Sequence, residues 1–166
     1  MRIPRSHTAL EDLRMPVQAE LAAAWTSLML LYIYVDIFHF FKPGTIDDIL
    51  VGIVHEFDTG PTFVALALTL MAIPALMVVL SMTLPARVNR TINLVIATLY
   101  IPVTIYNAAG EESWAYSYFY GLSIGLEVLL LALILRYAWT WPRRAASPAP
   151  PATSFDGEPH RTPQQA

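Results

Sequence analysis

Four long apolar segments dominate this sequence of 166 residues and constrain its fold more than any other feature. They run over residues 21–41, 61–84, 91–109 and 114–141. An α-helix that crosses the hydrocarbon core of a bilayer needs about 20 consecutive, mainly apolar residues. Short connections after the second and third segments favour antiparallel neighbours. We therefore predict an all-α fold: a four-helix transmembrane bundle with up-down-up-down topology.

Charged residues are scarce, and the composition limits the chemistry that the chain can perform. They make up 14% of the sequence, whereas a soluble domain has about 25%. The sequence has no cysteine, which excludes disulfides, thiolate catalysis and iron–sulfur clusters. We predict an N-terminal cytoplasmic segment (1–16), a membrane bundle (17–141) and a disordered cytoplasmic tail (142–166) rich in proline and polar residues.

Basic residues lie almost entirely on one side of the predicted bundle. Nine of the ten precede the first segment, lie between the second and third, or end or follow the fourth; only Lys42 lies on the other side. Because lysine and arginine resist translocation, we predict that both termini lie in the cytoplasm. We expect a multi-pass protein of the bacterial plasma (inner) membrane. Arg87 and Arg90 primarily indicate this topology, and secondarily an anionic headgroup site.

The first external loop contains TIDDILVGIVHEF, residues 45–57, whose apolar residues have the spacing of an amphipathic helix. Thr45 is suited to cap that helix, with Asp48 in its first turn. We predict a short amphipathic helix on the outer face of the bundle or in the membrane interface. It would act as a lid over helix ends or, alternatively, as a gate or partner surface.

An acidic residue, Asp36, interrupts the first apolar segment, and His39 follows one turn later. A charge that faces lipid is costly, so we expect this face of the helix to point into the bundle or toward a wet cavity. The third segment has a polar stripe that includes Tyr100, Thr104 and Asn107. We expect the last two to lie near the depth of Asp36 and to donate hydrogen bonds to it.

The fourth segment carries a second acidic residue, Glu127, near the middle of the membrane. The other side of that helix has Gly121 and Gly125 in a small-xxx-small pattern, which is typical of close helix packing. Pro74 in the second segment lies at a similar depth. Because proline has no N–H, it leaves the Leu70 carbonyl without its usual helical donor.

The two intramembrane acids could serve function or packing. Asp36 and Glu127 are predicted to be about 10 Å apart along the membrane normal, too far to share one atom. Tyr100 and Thr104 lie between them in depth, so a polar track for a proton, cation or small polar solute is geometrically feasible. The alternative is that these polar groups only fix the packing of the helices.

Several function classes lack their motifs here. The sequence has no P-loop, no Gly-rich dinucleotide motif, no G-x-S-x-G and no H-E-x-x-H. A single histidine within the apolar segments argues against haem, and Asp36 with His39 is too small a ligand set for a metal. We predict no cofactor, no metal and no nucleic-acid partner. The expected partners are the lipid bilayer and a second copy or another membrane protein.

The chain resembles a family of small bacterial four-span membrane proteins of unknown function. The resemblance covers about residues 17–141 and rests on YVDI, KPG, PTFVALALTLMAIPALMVVLS, RVNRTIN, Glu127 and the closing YAWTW. It implies a fold and a membrane location, and no activity. A looser likeness connects the chain to the DoxX-like four-helix membrane proteins, some of which are subunits of quinone-linked oxidoreductases.

Three functions are therefore expected, in this order. The first is a small membrane protein whose acids bind or pass a proton, cation or small polar solute. The second is a non-catalytic accessory protein that binds a partner or lipid and uses its acids for packing. The third, implied only by the looser likeness, is a subunit of a quinone-linked redox complex. An enzyme acting alone comes last.

Overall fold

The structure is a computed structural model that describes residues 15–54, 57–109 and 114–142. Its elements, in chain order, are α1 (Val17–His39), α2 (Thr45–Leu50), β1 (Ile53–Val54), β2 (Phe57–Asp58), α3 (Pro61–Thr83), α4 (Ala86–Ala109), a 3-10 turn (Trp114–Tyr116) and α5 (Ser117–Trp139). The predicted all-α four-helix bundle is confirmed. Most of the two predicted terminal segments, 1–16 and 142–166, lies outside the described residues.

The four long helices have the length that a bilayer requires. Each has 23 or 24 residues and is therefore about 35 Å long. Four helices of the described chain are long and apolar enough to cross a membrane. Pro61 opens α3 in its first turn, where a missing N–H costs nothing. Only Leu84 and Pro85 separate α3 from α4, so these helices run antiparallel.

The bundle packs around α1 and α5. Helix α1 packs against both α3 and α5, α4 packs mainly against α5, and α3 and α4 approach each other at few positions. The apolar core is narrow and contains Leu21, Trp25, Leu28, Met77 and Leu131. Most other large apolar side chains are exposed on the outside of the bundle, as expected for helices whose surroundings are lipid.

The two ends of the bundle differ in structure. At the terminal end, α1 begins, α5 ends and α3 turns into α4; at the loop end, α2 and a β-hairpin connect α1 to α3. The hairpin is antiparallel and pairs Val54 with Phe57.

The predicted amphipathic helix is present but shorter than its apolar spacing indicated. It ends at Leu50, and the hairpin replaces the expected continuation to Phe57. Gly52, with φ +84°, turns the chain out of the helix, and the β-branched residues after it form a strand. Thr45 is not the cap: Gly44 occupies that position with φ +90°.

The apolar side of α2 is not covered by the bundle. Ile46 and Leu50 are exposed, and α2 packs mainly against β1. Such a short, exposed amphipathic element suits a membrane interface. Its role as a lid or a gate stays a prediction.

Candidate functional site

Buried polar side chains form three groups along the bundle. An asparagine network of Trp25, Ser81, Asn89 and Asn93 lies toward the terminal end. An acid cluster of Tyr32, Thr104 and Glu127 lies nearer the middle. A pair formed by His39 and Tyr120 lies at the loop end. The three groups differ in how completely their polar atoms are paired.

The asparagine network is densely hydrogen-bonded. Asn93 Oδ1 accepts hydrogen bonds from Trp25 Nε1 (2.7 Å) and Ser81 Oγ (3.3 Å). Asn93 Nδ2 donates to the backbone oxygen (2.9 Å) and side-chain oxygen (2.6 Å) of Asn89. Asn89 Nδ2 in turn donates to the carbonyl of Ser81 at 2.6 Å. All four side chains are fully buried, so the network fixes α1, α3 and α4 relative to one another.

Tyr100 provides the partner for the carbonyl that Pro74 leaves free. Its hydroxyl donates a hydrogen bond to the Leu70 carbonyl, four residues before the buried Pro74. The Tyr100 ring also contacts Trp25 edge-on, with the ring centroids 6.2 Å apart. The proline therefore creates an acceptor inside α3 that links this helix to α4.

In contrast to the asparagine network, the acid cluster has few hydrogen bonds. Tyr32 on α1, Thr104 on α4 and Glu127 on α5 are 4%, 1% and 3% exposed. Thr104 lies beside both of the other two side chains. Even so, Tyr32 Oη, Thr104 Oγ1 and Glu127 Oε2 form no hydrogen bond of good geometry within the described part of the chain. Three buried oxygen atoms therefore face one another without satisfied partners.

No positive charge compensates Glu127 within the described residues. Its neighbours there are Thr104, Tyr32 and, through a longer-range electrostatic interaction, Asp36, none of which is basic. The groups of three or more histidine or acidic side chains that a metal site requires do not occur in the described ranges. The cluster is thus suited to binding a proton or another small hydrogen-bonding species.

A polar row leads from the acid cluster toward the loop end along α5. Ser123, one turn from Glu127, is buried and donates to the Phe119 carbonyl at 2.8 Å. Two turns away, Tyr120 shares a 2.7 Å hydrogen bond with His39 Nδ1, whose donor depends on the imidazole tautomer. Lys42 lies over the Tyr120 ring, 5.8 Å from its centroid.

Two predicted site residues lie outside the buried core. The Asp36 side chain is exposed and is not packed into the described bundle, and Asn107 is exposed as well. That Asp36 faces a wet cavity stays a prediction. Tyr32 and Thr104 are the last buried residues of their helices among those whose burial the structure describes. The tightly packed part of the bundle therefore ends one turn before both residues. Asp36 is still close enough to Glu127 for the two carboxyl groups to interact electrostatically.

The predicted close contact at Gly121 and Gly125 is not made by any part of the chain that the structure describes. Both glycines are exposed, and a Cβ atom added to either one would meet nothing within 4 Å. The small-residue face of α5 points away from the other helices.

The remaining predicted residues, Arg87 and Arg90, lie together at the terminal end, where they line a groove with Gln18 and Trp141. Sequence reasoning missed Ser81 and Asn89 and did not assign Tyr32 to the site. Asn89 lies four residues before Asn93, a spacing that places both on one helix face. This spacing was overlooked because the third segment was predicted to begin at residue 91, after Asn89.

Comparisons with known proteins identify a family but no activity. Residues 13–146 match the model of a family described as a family of unknown function (DUF6326). Comparisons with curated proteins and with solved structures give no match. The matched range contains all four long helices, the acid cluster and the asparagine network.

Proposed function

Because the chain belongs to this family of unknown function, DUF6326, we propose its function from its own buried groups: it binds and releases a proton at Glu127. In this proposal the protein is a multi-pass protein of the bacterial inner membrane with both termini in the cytoplasm. The four apolar helices and the one-sided distribution of basic residues support that location and orientation.

The unpaired state of the acid cluster is the observation that carries the proposal. A carboxylate without a basic partner in a low-dielectric interior is destabilising by several kcal/mol. Protonation removes the charge and turns Glu127 into a hydrogen-bond donor, for which the hydroxyl oxygens of Thr104 and Tyr32 are suitable acceptors. The cluster can therefore gain a hydrogen bond when it gains a proton.

The surroundings of the cluster favour access from one side. Toward the loop end, the polar row of Ser123, Tyr120 and His39 approaches Glu127 within about 10 Å. Toward the terminal end, the next buried residue of α5 is Leu131, which belongs to the apolar core. These features support reversible proton binding from the loop end rather than a continuous path across the membrane.

Infrared spectroscopy of the full chain in lipid nanodiscs tests the proposal. We expect the wild-type protein to show the carbonyl stretch of a buried carboxylic acid, which disappears as the pH is raised. Glu127→Gln should remove this band. Asp36→Asn, which alters the exposed carboxyl group, should retain it and serves as the matched control.

Two further measurements make the outcome decisive. Circular dichroism and thermal unfolding should show that E127Q retains the wild-type fold, because an amide of the same shape replaces the acid. A carboxylic-acid band that persists unchanged in folded E127Q would overturn the proposal. If E127Q lowers stability and no such band exists in the wild type, Glu127 serves packing, as in the accessory function.

A further inference from the structure

A second polar site lies at the terminal end, far from the acid cluster. A groove of about 870 Å³ opens there between the start of α4, the start of α1 and the residues that follow α5. Its polar lining consists of Gln18, Arg87, Arg90 and Thr91, and Trp141 provides an aromatic wall. Among the described residues, none that lines this arginine groove is acidic, so none of them neutralises its two positive charges.

Arg90 is held in a fixed position. Its Nε donates a 3.2 Å hydrogen bond to the Ala138 carbonyl in the last turn of α5. Its guanidinium also lies over the Trp139 ring, 5.8 Å from the centroid. The hydrogen bond uses only one of the five N–H groups of the guanidinium. A preorganised arginine loses less entropy when it binds an anion than a freely rotating one.

Arg87 adds a second cation at helical spacing. It precedes Arg90 by three residues on α4, so both side chains extend from the same face of the helix. Arg87 is exposed at the rim, whereas Arg90 is half-buried. Two guanidinium groups that converge on one groove, with amide and hydroxyl donors beside them, form the donor set that typically recognises phosphate.

We propose that the arginine groove binds a phosphate group, which Arg87 and Arg90 contact through charge-assisted hydrogen bonds. Two sources share this chemistry: the headgroup of an anionic phospholipid and free inorganic phosphate. The groove is larger than an inorganic phosphate ion, and its tryptophan wall is typical of residues at the membrane interface. Anionic headgroups are attracted to such basic sites.

Native mass spectrometry of the full chain, titrated with phosphatidylglycerol or phosphatidylcholine, tests the proposal. We expect phosphatidylglycerol to bind at least about tenfold more tightly than phosphatidylcholine. The headgroup of phosphatidylglycerol is anionic, whereas the choline cation of phosphatidylcholine offsets its phosphate charge. Arg87→Gln should weaken phosphatidylglycerol binding about tenfold. Arg136→Gln, which removes an equal charge from an exposed position of α5 at the same end of the bundle, should leave binding unchanged.

Two additional arms separate the possible outcomes. Arg90→Lys retains the charge but loses the Nε donor and the planar fork, so it should also weaken binding of the anionic lipid. Displacement of phosphatidylglycerol by inorganic phosphate would show that the groove also binds free phosphate. If inorganic phosphate does not displace it, the ligand of the groove is the lipid headgroup. Equal affinities of R87Q and wild type, or equal weakening by R87Q and R136Q, would overturn the proposal.

Discussion

The asparagine network and the acid cluster are two buried polar regions of one bundle with opposite degrees of pairing. Asn89, Asn93 and Thr104 lie on the same buried face of α4. In the network, one asparagine oxygen accepts two hydrogen bonds and the amide groups donate three. In the cluster, three buried oxygen atoms lack such a partner among the described residues.

This difference indicates which buried polar groups serve the structure and which are candidates for function. Buried polar groups are normally paired, because an unpaired one forfeits its hydration without compensation. A structural role, fixing the positions of the helices, is therefore sufficient to explain the hydrogen-bonded asparagine network. The unpaired acid of the cluster weakens the folded state, so packing alone does not explain why a carboxyl group occupies position 127.

The largest effect on stability is expected from Asn93→Leu. The leucine removes the acceptor of Trp25 Nε1 and Ser81 Oγ and the donor to Asn89. We expect the free energy of unfolding to fall by about 2 kcal/mol, the sum of two interhelical hydrogen bonds and those to Asn89 within α4, each of modest strength. Reversible unfolding in mixed micelles, followed by circular dichroism, measures this change.

Glu127→Leu is the matched substitution in the other region. We expect its free energy of unfolding to stay within about 0.5 kcal/mol of the wild-type value or to rise, because no satisfied hydrogen bond at Oε2 is lost and the cost of burying an acid disappears. If E127L were as destabilising as N93L, the contrast between the two regions would be wrong.

An effect smaller than that of N93L is expected at Tyr100, whose ring contacts Trp25 of the asparagine network. Tyr100→Phe removes the donor to the Leu70 carbonyl and should lower the free energy of unfolding by about 1 kcal/mol. In a Pro74→Ala background, the restored backbone N–H can bond to that carbonyl itself. Y100F should then cost only about half as much, which a double-mutant cycle measures. Equal losses in both backgrounds would show that Tyr100 acts through packing.

The sequence predicted the fold well because its strongest signals are local. Apolar runs of about twenty residues or more define the helices, and Pro74 identified the Leu70 carbonyl as an acceptor in need of a donor. The hairpin after α2 was missed since the residues from Thr45 to Phe57 satisfy helical spacing equally well. The left-handed conformation of Gly52, which ends that helix, is not encoded by apolar periodicity.

The site was predicted less completely because depth along a helix does not determine which residues the neighbouring helices cover. Spacing correctly placed Thr104 on an inward face, and it placed Asp36 and Asn107 on such faces as well. Those two are exposed because close packing ends one turn earlier. The pairing of polar atoms, which distinguishes the two regions, depends on interatomic distances that no single segment specifies.

The smallest effects come from two hydroxyl groups, one in each region, and they compare the regions most directly. Ser81→Ala removes a donor to Asn93 Oδ1 and should lower the free energy of unfolding by about 0.5–1 kcal/mol.

Thr104→Val removes a hydroxyl group whose oxygen is buried and unpaired, while the shape of the side chain is nearly retained. We expect stability to change by less than about 0.5 kcal/mol, in the direction of an increase. The infrared band of Glu127 should nevertheless shift in T104V and stay unchanged in S81A, because only Thr104 lies beside the carboxyl group. A loss of stability in T104V that matches or exceeds that of S81A would mean that the Thr104 hydroxyl is paired in the membrane.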